Sequence, residues 1–285
     1  IKKQYYNAQY NSSLKLLDSG NITIQEYEKN KNSFDQSILN IQKSKNELAN
    51  IKNQVYIFSG KELNDINDIK LVNIEHEKFS RDDLIDLANI KNNSIKLSKQ
   101  NIKISRSDIA SQKSRHYPTL DILAEYGYSD ITQGGSQFGP TTREDSTISF
   151  VLNFPIYNGG YQTSKTRQAK LNYEKARYDY KNTKRILKTE IIDTLNSYNA
   201  NKNQFDISLN VLQTVQKKYE NAKLGNEKGI YTDTQLLNAK FEYFEEKFNT
   251  KNIMMDYIYN KLMLNYLTDD LDISSLRKIN TYLVW

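Results

Sequence analysis

The residue types that enzymes use most often are scarce in this sequence. It has two histidines, His76 and His116, far apart in the chain, and it has no cysteine. No metal-ligand spacing, phosphate-binding loop or nucleophile–base pattern accompanies the histidines. The lack of cysteine excludes disulfides, thiolate metal sites and thiol catalysis. We therefore expect both histidines to be structural, the chain not to be an enzyme, and no cofactor or metal site.

The most informative pattern is a pair of strictly alternating segments at 120–128 and 148–156. Because side chains alternate faces along a strand, each segment predicts a strand with one apolar and one polar face. A length of about ten residues suits a tilted strand that crosses a bilayer. The predicted membrane face consists of Leu120, Ile122, Tyr126 and Tyr128 in the first strand and Ile148, Phe150, Leu152 and Phe154 in the second.

An alternative is that this hairpin forms the edge of a soluble sheet, with its apolar face on a core and its tyrosines as ordinary strand residues. However, a two-stranded hairpin is only marginally stable alone, and no other clear strand occurs in the sequence. A membrane strand cannot leave an open edge in lipid. The pattern therefore favours a closed barrel whose other strands come from further copies or from a larger N-terminal portion. Such a portion is expected because Ile1 is not an initiator and the first residues already read as helix.

The composition indicates helices that are wetted on more than one side. Only 38% of residues are hydrophobic, compared with about 45–50% in typical globular domains, and the mean hydropathy is −0.75. Disorder would also explain these values, but 21 tyrosines and clear periodicity argue against it. The net charge of +6 comes from interspersed signs without a basic block, so nucleic acid is not an expected partner. No apolar run is long enough for a transmembrane helix.

Outside 118–160, which holds all three prolines and six of the ten glycines, helix breakers are rare. Heptad-spaced apolar residues predict long coiled-coil helices, and a four-residue step from Leu187 to Ile191 predicts a stutter in the longest one. The predicted seams then include Tyr198 and Phe205 in this helix and Tyr257 and Leu264 in the return helix. An internal repeat at an offset of 209 aligns Gly20 with Gly229 and the helices that flank them. The predicted helices are 1–18, 23–58, 80–116, 161–224 and 232–267, with connectors at 61–79 and in the tail from 269.

Three motifs resemble the TolC family of outer-membrane efflux channels. They are 116–120 (HYPTL), which enters the first strand, 154–160 (FPIYNGG), which leaves the second, and 229–232 (GIYT) at a helix turn. The resemblance covers essentially the whole chain. The junctions between strands and helices contain Pro118, Pro155, Gly159 and Gly160.

This resemblance implies a mainly α fold with transmembrane β-strands. Each protomer of a homotrimer would give four strands to a twelve-stranded outer-membrane β-barrel, and its antiparallel coiled-coil helices would form a periplasmic α-barrel. The implied function is a passive duct that docks on a periplasmic adaptor and an inner-membrane pump and exports drugs or proteins. The implied segments are 1–79 (end of the first repeat), 80–117 and 160–268 (α-barrel helices), 118–159 (membrane hairpin with an extracellular loop at 131–145) and 269–285 (equatorial tail).

The resemblance also implies that the helix turns form a closed periplasmic tip, which acts as the gate. Glu26 keeps an acidic residue of the family's tip, whereas Gln235 and Asn238 replace acidic residues that ring the pore, which puts a cation-selective ring in doubt. Asn226 stands where a tyrosine can occur, and Tyr231 where an arginine can. The alternative is that charged turn residues such as Glu26 are merely solvated. The predicted tip residues are Gly20, Glu26, Gly225, Asn226, Gly229, Tyr231, Gln235 and Asn238.

The competing function is a coiled-coil scaffold of a secretion apparatus. Heptads support it as well as they support a channel. The alternating hairpin favours the channel, because a soluble scaffold has no use for an apolar strand face of this length. The sequence does not distinguish drugs from secreted proteins as cargo.

Overall fold

The computed structural model of the protein describes residues 1–63, 67–72, 74, 76–131 and 141–282. The contacts divide the chain into two units. We call 1–85 with 190–285 the helical unit, and 86–189 the hairpin unit. The elements are α1 (Lys2–Asp18), α2 (Ile24–Ser59), α3 (Arg81–Lys91), α4 (Asn93–Ser114), β1 (Thr119–Ile131), β2 (Thr141–Asn153), α5 (Tyr161–Glu227), α6 (Asp233–Leu267) and α7 (Ile273–Asn280).

Two helical hairpins make up most of the helical unit: α1 with α2, and the second half of α5 with α6. The seam predicted for α5 after the stutter is buried from Ile191 to Leu212, and Tyr198 and Phe205 have no exposed surface. The seam of α6 is buried likewise at Tyr257 and Leu264. In the first hairpin the packing is confined to the end near the turn, where Tyr10 stacks on Phe34 with ring centroids 5.7 Å apart.

The tail contains a helix that the sequence reading missed. We expected a connector after residue 269, but α7 spans Ile273–Asn280. The Asp272 carboxylate accepts the backbone N–H of Ser275 at 2.8 Å and so supplies an N-cap. The main-chain N–H of Lys70, in the connector, donates to the Tyr282 carbonyl at 2.8 Å. The N-cap therefore stabilises α7 despite its short length. The hydrogen bond from Lys70 holds the end of the tail against the connector.

In the hairpin unit, the helix predicted over 80–116 is broken at Asn92. The Asn92 side-chain oxygen accepts the backbone N–H groups of Ser94 at 2.9 Å and Ile95 at 3.3 Å. Asparagine side chains compete with helical hydrogen bonds in this way, which favours a cap over a helix interior. Two helices, α3 and α4, therefore replace the single predicted one.

The strands β1 and β2 pair antiparallel. Leu120 lies opposite Leu152, Ile122 opposite Phe150, and Ala124 opposite Ile148. The predicted apolar residues therefore share one face of the hairpin. Within the described ranges, no helix has the length and hydrophobicity needed to cross a membrane.

The hairpin differs from the sequence prediction at both ends. Each strand has 13 residues rather than about ten. Residues 141–145 belong to β2 and pair with β1 instead of forming part of the loop. Within this segment, Arg143 Nε lies 2.8 Å from Asp145 Oδ2. Residues 132–140, the rest of the predicted loop with Pro140, lie outside the described residues. Phe154 follows the end of β2 at Asn153, since the adjacent Pro155 has no N–H with which to extend the ladder.

Short junctions connect the hairpin to its helices. Pro118 directly precedes β1. At the exit, Gly159 and Gly160 have φ values of +58° and +78°, a region that side-chain-bearing residues rarely adopt. The Gly160 carbonyl accepts the N–H of Ser164 at 3.0 Å in the first turn of α5. The glycine pair therefore turns the chain from an extended strand into a helix.

Candidate functional site

The turn between α1 and α2 is closed by backbone hydrogen bonds. Gly20 has a φ of +73°, and its N–H donates to the Leu17 carbonyl at 2.9 Å. A left-handed glycine of this kind is a common helix C-cap. The Thr23 hydroxyl then accepts the backbone N–H of Glu26 at 3.2 Å and caps α2.

The turn between α5 and α6 is built in the same way. Gly229 also has a φ of +73°, and its N–H donates to the Asn226 carbonyl at 2.9 Å. The Thr232 hydroxyl accepts the N–H of Gln235 at 3.2 Å, and the Gln235 side-chain carbonyl accepts the N–H of Thr232 at 2.8 Å. This is a capping box. The repeat read from the sequence therefore extends to the hydrogen bonds of the two turns.

Gly225 lies within α5 and not beyond the predicted helix end at residue 224, because α5 continues to Glu227. A Cβ atom on Gly225 would overlap the ring of Tyr231, and the Tyr231 N–H donates to the Gly225 carbonyl at 3.2 Å. The Asn226 side-chain amide donates to the Tyr231 carbonyl and to the Asp233 carboxylate, both at 3.0 Å. Gly225 thus permits a close approach, and Asn226 ties the turn to the start of α6.

A cavity of about 790 Å³ lies beside this second turn. Tyr231, Gln235 and Asn238 line it together with Tyr5 of α1. The structure therefore brings three of the predicted tip residues together. Glu26 is not among the lining residues; its carboxylate is exposed and makes no hydrogen bond or ion pair with the described residues.

The described residues that line this cavity include amides, hydroxyls and two lysines but no carboxylate. The Asn238 amide donates to Glu242 Oε1 at 2.8 Å, and Lys218 forms an ion pair with the other oxygen of that carboxylate. The Gln235 side chain is engaged in the capping box. Hydrogen bonds and an ion pair therefore occupy these groups. Among the described residues, no cluster of side chains suited to a metal ion occurs.

A second polar group lies at the connector, and the sequence reading did not find it. The hydroxyls of Tyr198 and Tyr257 are 3.0 Å apart, and their rings stack at 4.8 Å. His76 Nδ1 lies 3.0 Å from the Tyr257 hydroxyl, and Tyr198 donates to the Glu77 carbonyl at 3.2 Å. Burial, reinforced by the Tyr198 hydroxyl, raises the pKa of Tyr257 above its ordinary value. Seam periodicity identified both tyrosines, but no local signal paired them with the connector.

Comparison with known proteins identifies the family. Residues 84–253, more than half of the chain, match the outer membrane efflux protein family. The chain belongs to this family. The resemblance inferred from the strand–helix junctions is thereby confirmed.

Curated relatives of this family align along between 68% and 99% of the chain. Outer membrane protein TolC of Escherichia coli K12 is 21% identical over 294 residues, which are 99% of this chain and 59% of that protein. Alkaline protease secretion protein AprF of Pseudomonas aeruginosa is 23% identical over 202 residues, or 68% of this chain and 40% of that protein. The chain thus spans about three fifths of the TolC relative. These relatives are named as outer-membrane and secretion proteins rather than enzymes.

Solved structures of outer-membrane channels share the fold. The Campylobacter jejuni CmeC outer membrane channel superposes with a TM-score of 0.68 at 16% identity, over 99% of this chain and 61% of that chain. VceC of Vibrio cholerae gives a TM-score of 0.62 at 14% identity, over 94% of this chain and 63% of that chain. The chain is therefore mainly helical and shares the fold of these channels.

Proposed function

We propose that this protein is the outer-membrane exit channel of an efflux or secretion system. One observation carries the proposal: the apolar face of the β1–β2 hairpin is paired in register but uncovered. Leu120 and Leu152, which lie opposite each other, are 61% and 69% exposed. Monomeric soluble proteins rarely leave an apolar face of this size open. Lipid is the environment that such a face fits best.

The polarity along the hairpin sets its depth in the bilayer. The apolar pairs give way to Tyr126 opposite Ser146 and Tyr128 opposite Glu144. Tyrosines at such a boundary form the aromatic girdle of membrane barrels. The charged ends beyond them would face the exterior, and the helices would extend into the periplasm.

A closed barrel requires more strands than this hairpin supplies. Backbone groups at an open sheet edge cannot be satisfied in lipid. The proposal is a homotrimer in which each protomer contributes four strands to a twelve-stranded barrel. The greater length of the TolC relative leaves room for a second hairpin in each protomer.

The gate is proposed at the periplasmic helix turns. Both turns are closed by short-range caps, so each can move as a unit on its own pair of helices. The proposed gate comprises the Gly20 turn with Glu26, and the turn at Gly229 with its neighbours Gly225, Asn226, Tyr231, Gln235 and Asn238. Passage through the duct is passive, so a periplasmic adaptor and an inner-membrane pump would supply energy and select the cargo.

Single-channel recording of the intact protein in a planar bilayer tests the channel. We expect a small, steady conductance that rises when Glu26→Gln and Asn226→Ala are combined. Unchanged conductance in this double variant would contradict the location of the gate. A protein that gives no conductance and leaves membranes in alkali without detergent would instead be a coiled-coil scaffold.

A further inference from the structure

The two helical hairpins of the helical unit contact each other through an aromatic cluster. The rings of Tyr5 in α1 and Phe241 in α6 stack with centroids 5.0 Å apart and an interplanar angle of 2°. Tyr6 packs on the same Phe241 ring at 6.1 Å, tilted by 56°. We call Tyr5, Tyr6 and Phe241 the aromatic latch.

A cation reinforces this contact on the side away from the turns. Lys2 Nζ lies 5.6 Å from the centroid of the Phe241 ring and 3.4 Å from Glu245 Oε1. Both distances permit attraction, through the ring face and through the carboxylate. Since the lysine and the glutamate are about half exposed, the packed rings contribute more to holding the hairpins together than this ion pair.

Two further stacked aromatic pairs in this unit lie within one hairpin rather than between the two hairpins. Tyr10 stacks on Phe34 inside the α1–α2 hairpin, and Tyr219 stacks on Tyr243 inside the α5–α6 hairpin at 5.7 Å. The polar side chain of Asn226 also bonds within its own turn. These contacts stiffen each hairpin but do not fix one hairpin against the other.

We propose that the aromatic latch, rather than contacts between the turns, determines how far the two hairpins separate. Tyr5 lies 13 residues before the end of α1, and Phe241 lies eight residues after the start of α6. The latch is therefore roughly 10–20 Å from the turns at 1.5 Å per residue. The helix segments between the latch and the turns can move apart when the rings of the latch separate.

The cavity beside the second turn couples the latch to the proposed gate. Tyr5 is a member of the latch and also lines this cavity, as do Tyr231 and Gln235. Burial raises the pKa of Tyr5, with smaller contributions from Tyr6 and Glu242, which is consistent with a ring held between the hairpins. Release of the latch widens the cavity on the side that the turn residues line. This step deepens the proposed gate and rests on it.

The separation of the turns can be measured without any assay of transport. The sequence has no cysteine, so Asn21→Cys and Ile230→Cys, both exposed turn positions, accept spin labels selectively. In the intact protein in detergent, diluted with unlabelled protein, we expect Phe241→Ala to shift the distance distribution towards longer values. The separated population should rise by about five-fold, the effect of losing one stacked aromatic pair.

Tyr243→Ala is the matched control. It removes a stacked ring two residues away on the same helix, but this ring packs within one hairpin. Equal broadening in both variants, or none in Phe241→Ala, would overturn the latch. If Phe241→Ala loses helix content, Phe241→Leu replaces it, because leucine keeps apolar bulk without a stacking ring.

Conductance then separates failure of the latch from failure of the channel. Longer distances with raised conductance support both proposals. Longer distances in a protein that conducts no ions keep the latch and reject the channel. An ordinary conductance that is the same in wild type, Phe241→Ala and Tyr243→Ala, with unchanged distances, rejects the latch alone.

Discussion

The ring of Tyr231 packs so closely on Gly225 that a single methyl group there would overlap it. This contact holds the loop after α5 against the last turns of the helix. Gly225 is helical rather than left-handed, so the requirement for glycine is steric. The second turn therefore depends on the contact between Tyr231 and Gly225, and only a residue without a side chain fits at position 225.

Substitution of Gly225 by alanine should have opposite effects in two backgrounds. In the wild type we expect destabilisation by about 1–2 kcal/mol, because the added methyl group displaces Tyr231. In Tyr231→Ala the same change should stabilise by up to about 1 kcal/mol, since alanine favours a helix over glycine. Chemical unfolding followed by circular dichroism measures both. Destabilisation of equal size in both backgrounds would contradict the steric account.

Gly229→Ala provides the comparison for that pair. At a φ of +73° the penalty comes from the backbone rather than from Tyr231. We expect a loss of about 1–2 kcal/mol with or without the Tyr231 ring. A dependence on that ring would show that the two glycines share one role.

The cap of α7 should make the tail sensitive to acid. Hydrogen bonds from the hydroxyl and N–H of Ser275, together with the Ser274 hydroxyl, lower the pKa of Asp272 to about 2 from 3.8. A lowered carboxyl pKa stabilises the folded helix above pH 3.8, and this stabilisation is lost as the pH falls through about 2. Protease sensitivity of the tail should therefore rise between about pH 4 and pH 2.

Asp272→Asn separates the cap from its charge. Asparagine still accepts the Ser275 N–H, so α7 should persist, but its stability should no longer change with pH in this window. A tail of Asp272→Asn that remains as acid-sensitive as the wild type would assign the effect to other carboxylates.

Removal of the Tyr257 hydroxyl should destabilise the helical unit. In Tyr257→Phe, His76 Nδ1 and the Tyr198 hydroxyl both lose a partner, although Tyr198 keeps its bond to the Glu77 carbonyl. We expect a loss of about 1–3 kcal/mol in chemical unfolding. Tyr259→Phe, two residues along and largely exposed, should change stability by less than about 0.5 kcal/mol.

Alkaline pH gives a second measure of the same hydroxyl. A raised tyrosine pKa contributes stability that is complete below the ordinary value near 10 and decreases as the pH rises above it. The wild type should therefore lose stability above pH 10 faster than Tyr257→Phe. If the stability of the two proteins decreased in parallel, ionisation of Tyr257 would not be coupled to unfolding.

Local periodicity in the sequence was sufficient to predict the long helices and the strands. It was not sufficient where a single side chain or a contact between residues distant in the sequence determines the structure. Heptads predicted the α5 seam through Tyr198, and strict alternation predicted that Leu120 and Leu152 share a face. The helix breaks at Asn92 because the side chain of this asparagine caps backbone N–H groups instead of pointing into solvent. The spacing of residues does not reveal which of the two an asparagine does. The pairing of His76 with Tyr257 joins residues 181 positions apart. No pattern within one helix encodes such a contact.

A charge on the apolar face of the hairpin distinguishes a membrane barrel from a sheet edge. Phe150 is 67% exposed and pairs with Ile122 in the middle of the apolar band. In a bilayer, Phe150→Arg would place the guanidinium in lipid, at a cost of about 2–4 kcal/mol near the midplane. Ser149→Arg is the matched control, because adjacent strand residues point to opposite faces and its side chain would point into the barrel. We expect Phe150→Arg, but not Ser149→Arg, to lower the yield of protein that requires detergent for extraction from membranes. Equal yields for the two arginine variants would mean that lipid does not contact this face, and the hairpin would then have to pack against protein.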